Sequence, residues 1–301
     1  MMQKILLLGR HDMRADYDTA QSMANGLRKF APESVEYIAC DYEDLIIQYD
    51  TLLTITTADG TDLRNFDIIF QFGWFKTKLL EDLAHSVAKY AEFYKVQHLN
   101  QEALDTRSRT KISQYVIAGL LGVRTIPFII ATDSKAITDW VKGQPLPVIV
   151  KAVAASKGNH NYLAQTTEDI DCIIRDNPDQ QFVVQPFIEN DGDYRLIVLD
   201  GVVKLAIHRK GETGSHLNNT SKGGAGTIAD ISELPKPMLD EAVLLSRELR
   251  REISGIDMVI SKKDSQHYFL ESNNMPQLST GSNVDAKLAV INEYLISRLS
   301  Q

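Results

Sequence analysis

Three oxygen-bearing side chains near the C-terminus have the spacing of metal ligands on a β-hairpin. Glu271 and Asn273 stand two positions apart in an apolar strand pattern, so their side chains point the same way. Asp257 lies in the preceding strand pattern, and a hairpin centred near Asp264 places it almost opposite Glu271. Carboxylate and amide oxygens are the ligands that Mg²⁺ prefers, usually with nucleotide phosphates completing its coordination. The spacing therefore predicts a site for Mg²⁺ and a nucleotide.

The same pattern also occurs on hairpins whose acidic residues only face water, and the flanking residues favour a site over that alternative. Met258 and Ile260 make the first strand apolar at alternate positions. Tyr268 and Leu270 do the same in the second strand, which predicts a sheet that is buried on one side. Residues 272–276 (Ser-Asn-Asn-Met-Pro) then leave the strand abruptly. Polar residues at a strand end, followed by a proline turn, are typical of functional sites.

Composition limits the classes of partner. The 301 residues include 40 acidic and 32 basic side chains, for a net charge of −8, which argues against nucleic acid or an anionic membrane as the main partner. Arg10 interrupts the first apolar run too early for a signal peptide, and no run approaches a membrane span. The two cysteines, Cys40 and Cys172, lie far apart in the sequence, without the paired spacing of a zinc motif and without a disulfide framework. We therefore expect a cytoplasmic protein, whose nucleotide site needs basic residues close by.

Over the first hundred residues, apolar strands alternate with helical spacing, which predicts a parallel, Rossmann-like sheet. The predicted strands are Lys4–Gly9, Val35–Cys40 and Phe66–Phe72, and the predicted helices are Asp18–Phe30 and Leu79–Val96. Loops 10–12 and 73–76 follow two of these strands, where such sheets bind ligands, although polar residues are also ordinary in loops. A dinucleotide-binding G-x-G-x-x-G does not follow the first strand.

From Asn100 onward the pattern becomes α+β with antiparallel strands. The predicted helices are Asn100–Gly119, a helix from the Asp133 cap to about Val141, Glu168–Asp176 and a last helix, Lys236–Glu252. The predicted strands before the metal hairpin are Arg124–Ile130, Val148–Ala152, Gln181–Gln185, Tyr194–Leu199 and Val202–His208. We expect three domains, at residues 1–99, 100–186 and 187–301.

The motifs of several enzyme classes are missing from the sequence: it has no P-loop, no G-x-S-x-G elbow and no H-E-x-x-H. What remains is a series of basic residues, each of which alone reads more simply as a solvated surface charge. They are Lys111, Lys151, Lys157, Arg195, Arg209 and Lys222. Lys151 is the exception, because it lies within the apolar strand Val148–Ala152 and must either reach water or meet an anion.

Taken in order, these segments resemble the ATP-grasp superfamily, most closely its RimK-like carboxylate–amine ligases, over about residues 100–290. The resemblance implies that Lys111 and Lys151 contact the nucleotide phosphates, beneath a small loop that contains Lys157. It also implies a hinge whose backbone reads the adenine edge. That hinge is formed by Gln185, Pro186, Phe187 and Ile188.

The resemblance extends to the chemical end of the site. Asp193 and Arg195 match an Asp-x-Arg element, with the arginine on the acyl-phosphate or acceptor side. Arg209 matches a basic strand end, while Asn219 and Lys222 match an Asn-x-x-Arg-Gly-Gly element. Arg195, Arg209 and Lys222 are thereby implied as catalytic residues, and Asp193 and Asn219 as cofactor contacts. The metal ligands implied are Asp257, Glu271 and Asn273.

The sequence departs from the family pattern at three places. The phosphate-covering loop keeps only one glycine, Gly158, where the family has several. Pro276-Gln277 stands where the family commonly has Pro-Gly. Lys222 replaces an arginine, and the two are not interchangeable where two parallel hydrogen bonds are needed.

The resemblance implies an ATP-grasp fold, α/β in its N-terminal Rossmann-like domain and α+β beyond, with ATP between the last two domains. The activity it implies is ATP-dependent joining of a small carboxylate to an amine, an amino acid or a peptide, through an acyl phosphate. Mg²⁺, as two ions, is the expected metal, with Mn²⁺ as an alternative, and a homo-oligomer is left open. Two other functions stay open: a non-catalytic ATP-binding regulatory module, and a kinase-like phosphoryl transferase on the same fold.

Overall fold

The chain is described from a computed structural model, which covers residues 2–10, 17–73, 77–105, 110–153, 160–211 and 225–300. Within these ranges the strands are β1 (Gln3–Gly9), β2 (Val35–Asp41), β3 (Ile46–Tyr49), β4 (Leu53–Thr56), β5 (Ile68–Gln71), β6 (Gln97–Leu99), β7 (Ile129–Ile130), β8 (Val148–Ala152), β9 (Asn161–Ala164), β10 (Phe182–Pro186), β11 (Asp193–Leu199), β12 (Val202–Lys210), β13 (Ala225–Ala229), β14 (Ile253–Ile260) and β15 (His267–Asn273). The helices are α1 (Ala20–Leu27), α2 (Lys78–Tyr94), α3 (Lys111–Leu120), α4 (Ser134–Val141), α5 (Thr167–Asp176), α6 (Lys236–Glu248) and α7 (Val284–Leu299).

The first sheet is parallel, in the order β2-β1-β5-β6, and is buried on both faces. Alternate residues of β1 explain its unbroken apolar run. Ile5 and Leu7 join the core with α1 and α7, whereas Leu6 and Leu8 pack with α2 on the other face. The predicted Rossmann-like sheet is therefore present.

The second sheet is antiparallel, in the order β7-β10-β8-β9. One face packs on α4 and α5 through residues that include Val148, Val150 and Ile170. Lys151 pairs with Val183, so these two residues share the opposite face with Gln185, two positions further along β10. That opposite face lies against α3.

The third sheet is antiparallel, in the order β13-β12-β11-β14-β15, and its two faces differ in character. Leu196, Ile256 and Met258 point to the core beneath α6. The other face is apolar at one end, where Ile197 and Ile253 pack towards the first sheet and α7. At its other end this face carries the charged residues of the candidate site.

Several predicted elements differ in extent, among them the helix predicted at Asp18–Phe30, which is shortened to α1 (Ala20–Leu27). The helix predicted from Asn100 begins at Lys111; the Asn100 side chain instead holds Ile253 by two hydrogen bonds, at 2.7 and 2.9 Å, as a neighbouring strand would. The strand predicted at 124–130 is reduced to β7, because Pro127 cannot donate to a sheet and the Arg124 carbonyl accepts a hydrogen bond from Phe269 N. The helix predicted to end at Glu252 ends at Glu248.

Several elements were not predicted, namely the β3–β4 hairpin, β6, β9, β13 and α7. Helix α6 is consequently not the last helix, and α7 returns to cover the first sheet through Leu288 and Ile291. The predicted domain boundaries remain a prediction, although the strands of the three large sheets fall within 1–99, 100–186 and 187–301 respectively. None of the described helices combines the length and the apolar character that a membrane crossing requires.

Candidate active site

Three charged side chains form one row across β11, β14 and β15 of the third sheet. Arg195 on β11 pairs with Asp257 on β14, and Asp257 pairs with Glu271 on β15. The sequence placed Asp257 almost opposite Glu271, and the register confirms this. A bulge follows the pair, because Met258 is matched with Phe269 and leaves one extra residue, Leu270, on β15.

Asp257 is the centre of a buried ionic network. Arg195 donates from Nε to Asp257 Oδ1 at 2.8 Å and from Nη2 to Oδ2 at 2.7 Å, a two-bond pair. Arg209 Nη2 lies 2.9 Å from the same Oδ2, and Arg209 Nε donates to Asp193 Oδ1 at 2.6 Å. Only 2% of Asp257 is exposed. Two guanidinium groups thus hold one carboxylate in a fixed orientation.

The pKa values of these two aspartates move in opposite directions. Burial alone would raise the pKa of Asp257, but Arg195 and Arg209 outweigh it and hold that pKa at about 2. For Asp193 burial dominates, because a single guanidinium, that of Arg209, contacts it, and its pKa is raised to about 6. Asp257 is therefore the firmly ionised member of the network at neutral pH.

Glu271 is the more open of the two predicted carboxylate ligands, with one third (33%) of its side chain exposed. Lys111 Nζ on α3 lies 3.7 Å from Glu271 Oε2. The amide nitrogen of Asn273 donates to Glu271 Oε1 at 3.3 Å and points at Asp257 Oδ2 at 3.4 Å. The three predicted metal ligands therefore meet at one point on the sheet.

This donor set fits a Mg²⁺ ion. The Asn273 amide group places its partial positive charge between two carboxylates, and a half-turn of that amide would present its oxygen there instead. Two carboxylates and one amide oxygen are hard ligands of the kind that Mg²⁺ takes together with substrate phosphates. Clusters of three or more His, Cys, Asp or Glu suited to a metal are absent from the described residues, so the predicted set has three protein ligands only if the Asn273 amide is counted.

Lys151 projects from β8 towards β15, the strand that carries Glu271 and Asn273. Its Nζ donates to the Tyr115 hydroxyl at 2.6 Å. Burial lowers the pKa of Lys151 to about 8, although the charges of Glu271 and Asp257 act in the opposite direction. The Lys151 ammonium group therefore lies buried beside Tyr115, and its contact with nucleotide phosphates stays a prediction.

Several groups of the hinge at residues 185–188, which is predicted to contact adenine, already form hydrogen bonds within the protein. Phe187 N donates to the Pro147 carbonyl at 2.9 Å, and the Ile188 carbonyl accepts from Asn190 Nδ2 at 2.7 Å. The Gln185 side chain is buried and faces Tyr115 and the Ile126 carbonyl at 3.3 and 3.4 Å. Gln185 and Pro186 also pair with Ile149 and Val148 of β8, so much of the backbone of this hinge is already engaged within the sheet. Its contact with adenine stays a prediction.

Two predicted site residues make contacts within the protein that differ from their predicted roles. The Asp193 carboxylate, predicted to contact the cofactor, faces Arg209 in the structure. Arg195, predicted on the acyl-phosphate side, also donates from Nη1 to Pro276 O and to Gln277 Oε1, each at 3.3 Å. With its two bonds to Asp257, four of its five N–H groups have partners. Lys157, Asn219 and Lys222 lie outside the described residues, as do 11–12 and 74–76 of the two N-terminal loops.

The loop after β15 is held by contacts that were not predicted from the sequence. Gln277, the departure from Pro-Gly, has φ of 58°, a conformation that glycine adopts at little cost. Asp18, between β1 and α1, holds this loop by accepting from Leu278 N at 2.7 Å. Gly255 lets Pro276 approach the sheet, since a Cβ there would lie 2.3 Å from Pro276 Cβ. The loop thus packs beside Arg195.

Comparisons with known proteins identify the family. A family model for the RimK-like ATP-grasp domain matches residues 112–295. The chain therefore belongs to the RimK-like ATP-grasp family.

Among curated relatives, a probable alpha-L-glutamate ligase 2 of Hahella chejuensis is 26% identical over 219 residues, 70% of each chain. A ribosomal protein bS6–L-glutamate ligase of Escherichia fergusonii is 26% identical over 202 residues, 63% of this chain and 65% of that one. The chain thus spans about two thirds of these relatives.

Solved structures give the fold. The ATP-grasp ligase PsnB, complexed with a phosphomimetic variant of its minimal precursor, Mg and ADP, superimposes with a TM-score of 0.73 at 15% identity over 98% of both chains. The family and the ATP-grasp fold predicted from the sequence are confirmed, and so is the class of enzyme, an ATP-dependent carboxylate–amine ligase.

Proposed function

We propose that this protein uses ATP and Mg²⁺ to join a carboxylate to an amine, with an amino acid and a peptide or protein as the two substrates. The observation that carries the proposal is the row Arg195–Asp257–Glu271, with Asn273 beside it and Lys111 at 3.7 Å from Glu271. Both curated relatives are named as glutamate ligases, one of them acting on a ribosomal protein. PsnB was solved with a precursor peptide.

The reaction has two steps. A substrate carboxylate oxygen attacks the γ-phosphorus of ATP, the bond to ADP breaks, and an acyl phosphate forms. The amine nitrogen then attacks the acyl carbon, loses its proton, and phosphate leaves. Both steps need positioning and charge neutralisation rather than a protein nucleophile. This requirement agrees with a site composed of fixed charges.

Each group has a role in this scheme. Asp257, Glu271 and Asn273 would hold Mg²⁺, as two ions or with Mn²⁺ in its place. A metal bound there would supply charge withdrawal from the β- and γ-phosphate oxygens. Lys111 and Lys151 bind the phosphates. Arg209 and Arg195 fix Asp257 and keep positive potential where the acyl phosphate forms. Lys157, Asn219 and Lys222 keep the roles that the family resemblance implies.

The role of Lys151 predicts a pH dependence for nucleotide binding. Its ammonium form attracts phosphate, and the pKa of about 8 means that this form is lost as pH rises from 7 to 9. We expect the affinity of the free protein for ATP to fall over that range, with a limiting slope of about tenfold per pH unit. Lys151→Arg keeps its charge throughout and should give a flat profile. Identical profiles for the two proteins, measured by calorimetry, would contradict the assignment.

The proposed function is tested by ADP release in the presence of Mg²⁺ and panels of amino acids, peptides and other carboxylates. Release that rises with a particular carboxylate–amine pair, together with an amide product detected by mass spectrometry, supports the ligase. Tight ATP binding without turnover on any pair would favour a regulatory module. A phosphorylated product without an amide would favour a kinase-like transfer, and failure to bind ATP would exclude all three.

A further inference from the structure

The outer edge of β15, the strand that carries Glu271 and Asn273, is covered by side chains of helix α3. In the described part of the chain, β15 is the outermost strand of its sheet. The Tyr115 hydroxyl donates to the Leu270 carbonyl at 2.8 Å. Ser272 N donates to Gln114 Oε1 at 2.8 Å, and Gln114 Nε2 donates back to the Ser272 carbonyl at 3.0 Å. These side chains satisfy the backbone groups that a further strand would otherwise pair.

One face of helix α3 contacts three neighbouring residues at the outer edge of β15. Lys111, Gln114 and Tyr115 are spaced i, i+3 and i+4, so they project from the same side of α3. They reach Glu271, Ser272 and Leu270 respectively. Ser272 stands between the two predicted metal ligands of β15, so fixing its backbone fixes the direction of both neighbouring side chains.

A second buried group holds Ser272 from the opposite end of the hairpin. Arg251, just before β14, donates from Nη1 to the Ser272 carbonyl at 2.7 Å and to the Ser272 hydroxyl at 2.8 Å. Arg251 Nε in turn donates to Glu102 Oε2 at 2.8 Å, between side chains that are almost completely buried. Backbone and side chain of Ser272 are therefore held together.

The same α3 face also contacts the predicted nucleotide strand. Tyr115 has one hydroxyl hydrogen, and its bond to Leu270 O leaves the oxygen to accept from Lys151 Nζ at 2.6 Å. The hydroxyl thus joins β8 of the second sheet to β15 of the third. Gln185 of β10 lies 3.3 Å from the same oxygen. One helix therefore sets the separation of the phosphate-binding lysine and the metal strand.

We infer that Gln114 and Tyr115 are positioning residues that hold the Mg²⁺ ligands in register with Lys151. This inference rests on the proposed function, because it assumes that Glu271 and Asn273 bind the metal. Residues that orient ligands without touching the metal typically change metal affinity or activity about 10- to 100-fold when removed. Loss of either side-chain contact should therefore weaken Mg²⁺ binding more than it lowers stability.

The test compares Tyr115→Phe, which removes only the hydroxyl, with Gln114→Met, which keeps length without hydrogen bonds. Tyr294→Phe is the matched control, because its buried hydroxyl on α7 has no hydrogen-bond partner among the described residues. Calorimetry measures ADP binding as a function of Mg²⁺ concentration, so no substrate is needed. We expect the Mg²⁺ concentration for half-saturation to rise about tenfold in both variants and to stay unchanged in the control.

A second readout needs no ligand. Gln114→Met removes the acceptor of Ser272 N, so amide exchange at Ser272 should accelerate in the ligand-free variant and not in the control. If both variants need the same Mg²⁺ concentration as the wild-type protein, even with a lower melting temperature, the two side chains only support the fold. That result would overturn this inference and leave the proposed function standing. Failure of the wild-type protein to bind ADP with Mg²⁺ would overturn the inference and the proposed function together. Should Tyr115→Phe not fold, Gln114→Met decides the test.

Discussion

Glu271→Gln is expected to lower substrate-stimulated ADP release by at least about 100-fold, because the metal's stabilisation of transition-state charge is worth several kcal/mol. Glu271 is the more exposed of the two carboxylates and lies opposite Asp257, so its charge contributes most where a cation would bind. The neutral amide keeps the size of the side chain and removes only that charge. Initial rates at saturating ATP, titrated with Mg²⁺, give the measurement.

The fold should survive this change. The ion pair of Glu271 with Lys111 is loose, at 3.7 Å, and partly exposed, so its loss should cost about 1 kcal/mol or less in unfolding free energy. Glu248→Gln, an exposed residue at the end of α6, is the matched control and should release ADP at the wild-type rate. Unchanged activity in Glu271→Gln, or equal losses in both variants, would show that Glu271 does not hold the metal.

The local sequence predicted the β14–β15 hairpin well, because the alternation of apolar and polar residues and the position of the turn fix the register of an antiparallel pair. Residues 261–266 form the predicted turn, with Ser261 N donating to the Gln266 carbonyl. Asp257 consequently falls opposite Glu271 as predicted. The bulge at Leu270 could not be read from the sequence, because it depends on backbone contacts at the outer edge of β15.

The sequence did not predict which side chains contact each other when they lie far apart in the chain. Arg195 and Asp257 were assigned separate roles, one at the acyl phosphate and one at the metal, whereas the structure joins them by two hydrogen bonds. Gln114 and Tyr115 carry no motif, although their i+3 and i+4 spacing from Lys111 was a readable signal. Arg251 offered no signal at all, since nothing local distinguishes it from a surface arginine.

The missed helix α7 shows a different limit. Its apolar positions Leu288, Ile291 and Leu295 have helical spacing, and Asn283 before it is a residue type that favours helix starts, so a local signal was present and was not used. Asn283 precedes the helix with φ of 54° and makes no capping hydrogen bond. Packing of α7 on the first sheet and α1 supplies the stabilisation that a cap would otherwise contribute.

The position of Asp257 within the charged row has consequences for stability as well as for catalysis. Both arginines that contact it are buried, and neither can lose its charge in the accessible pH range. The two positive charges therefore depend on a carboxylate between them. The same carboxylate is predicted to hold Mg²⁺, so binding would draw on a ligand that the fold has already oriented.

Asp257→Asn should accordingly destabilise the protein by about 3–5 kcal/mol at pH 7, the usual cost of removing one partner from a buried ion pair. Because the folded pKa of Asp257 is lowered to about 2, its contribution is complete above the unfolded pKa and is lost as pH falls through the folded one. The difference in unfolding free energy between the two proteins should therefore be constant from pH 5 to 8 and shrink below about pH 4.

Urea unfolding at pH 7 and at pH 3 measures both parts of this expectation, with Asp62→Asn as the matched control. Asp62 also pairs with an arginine through two bonds, but the Arg64 partner is one third exposed. The other contacts of Asp62, from Arg64 N and the Tyr90 hydroxyl, reach Oδ1, an oxygen that asparagine keeps. The control should therefore lose only about 1 kcal/mol. Equal losses in the two variants at pH 7 would mean that Arg195 and Arg209 reach water or other partners when Asp257 is neutralised. The backbone pairing of the sheet alone would then hold the charged row in place. The idea that Arg195 and Arg209 orient the predicted metal ligand Asp257 would be wrong.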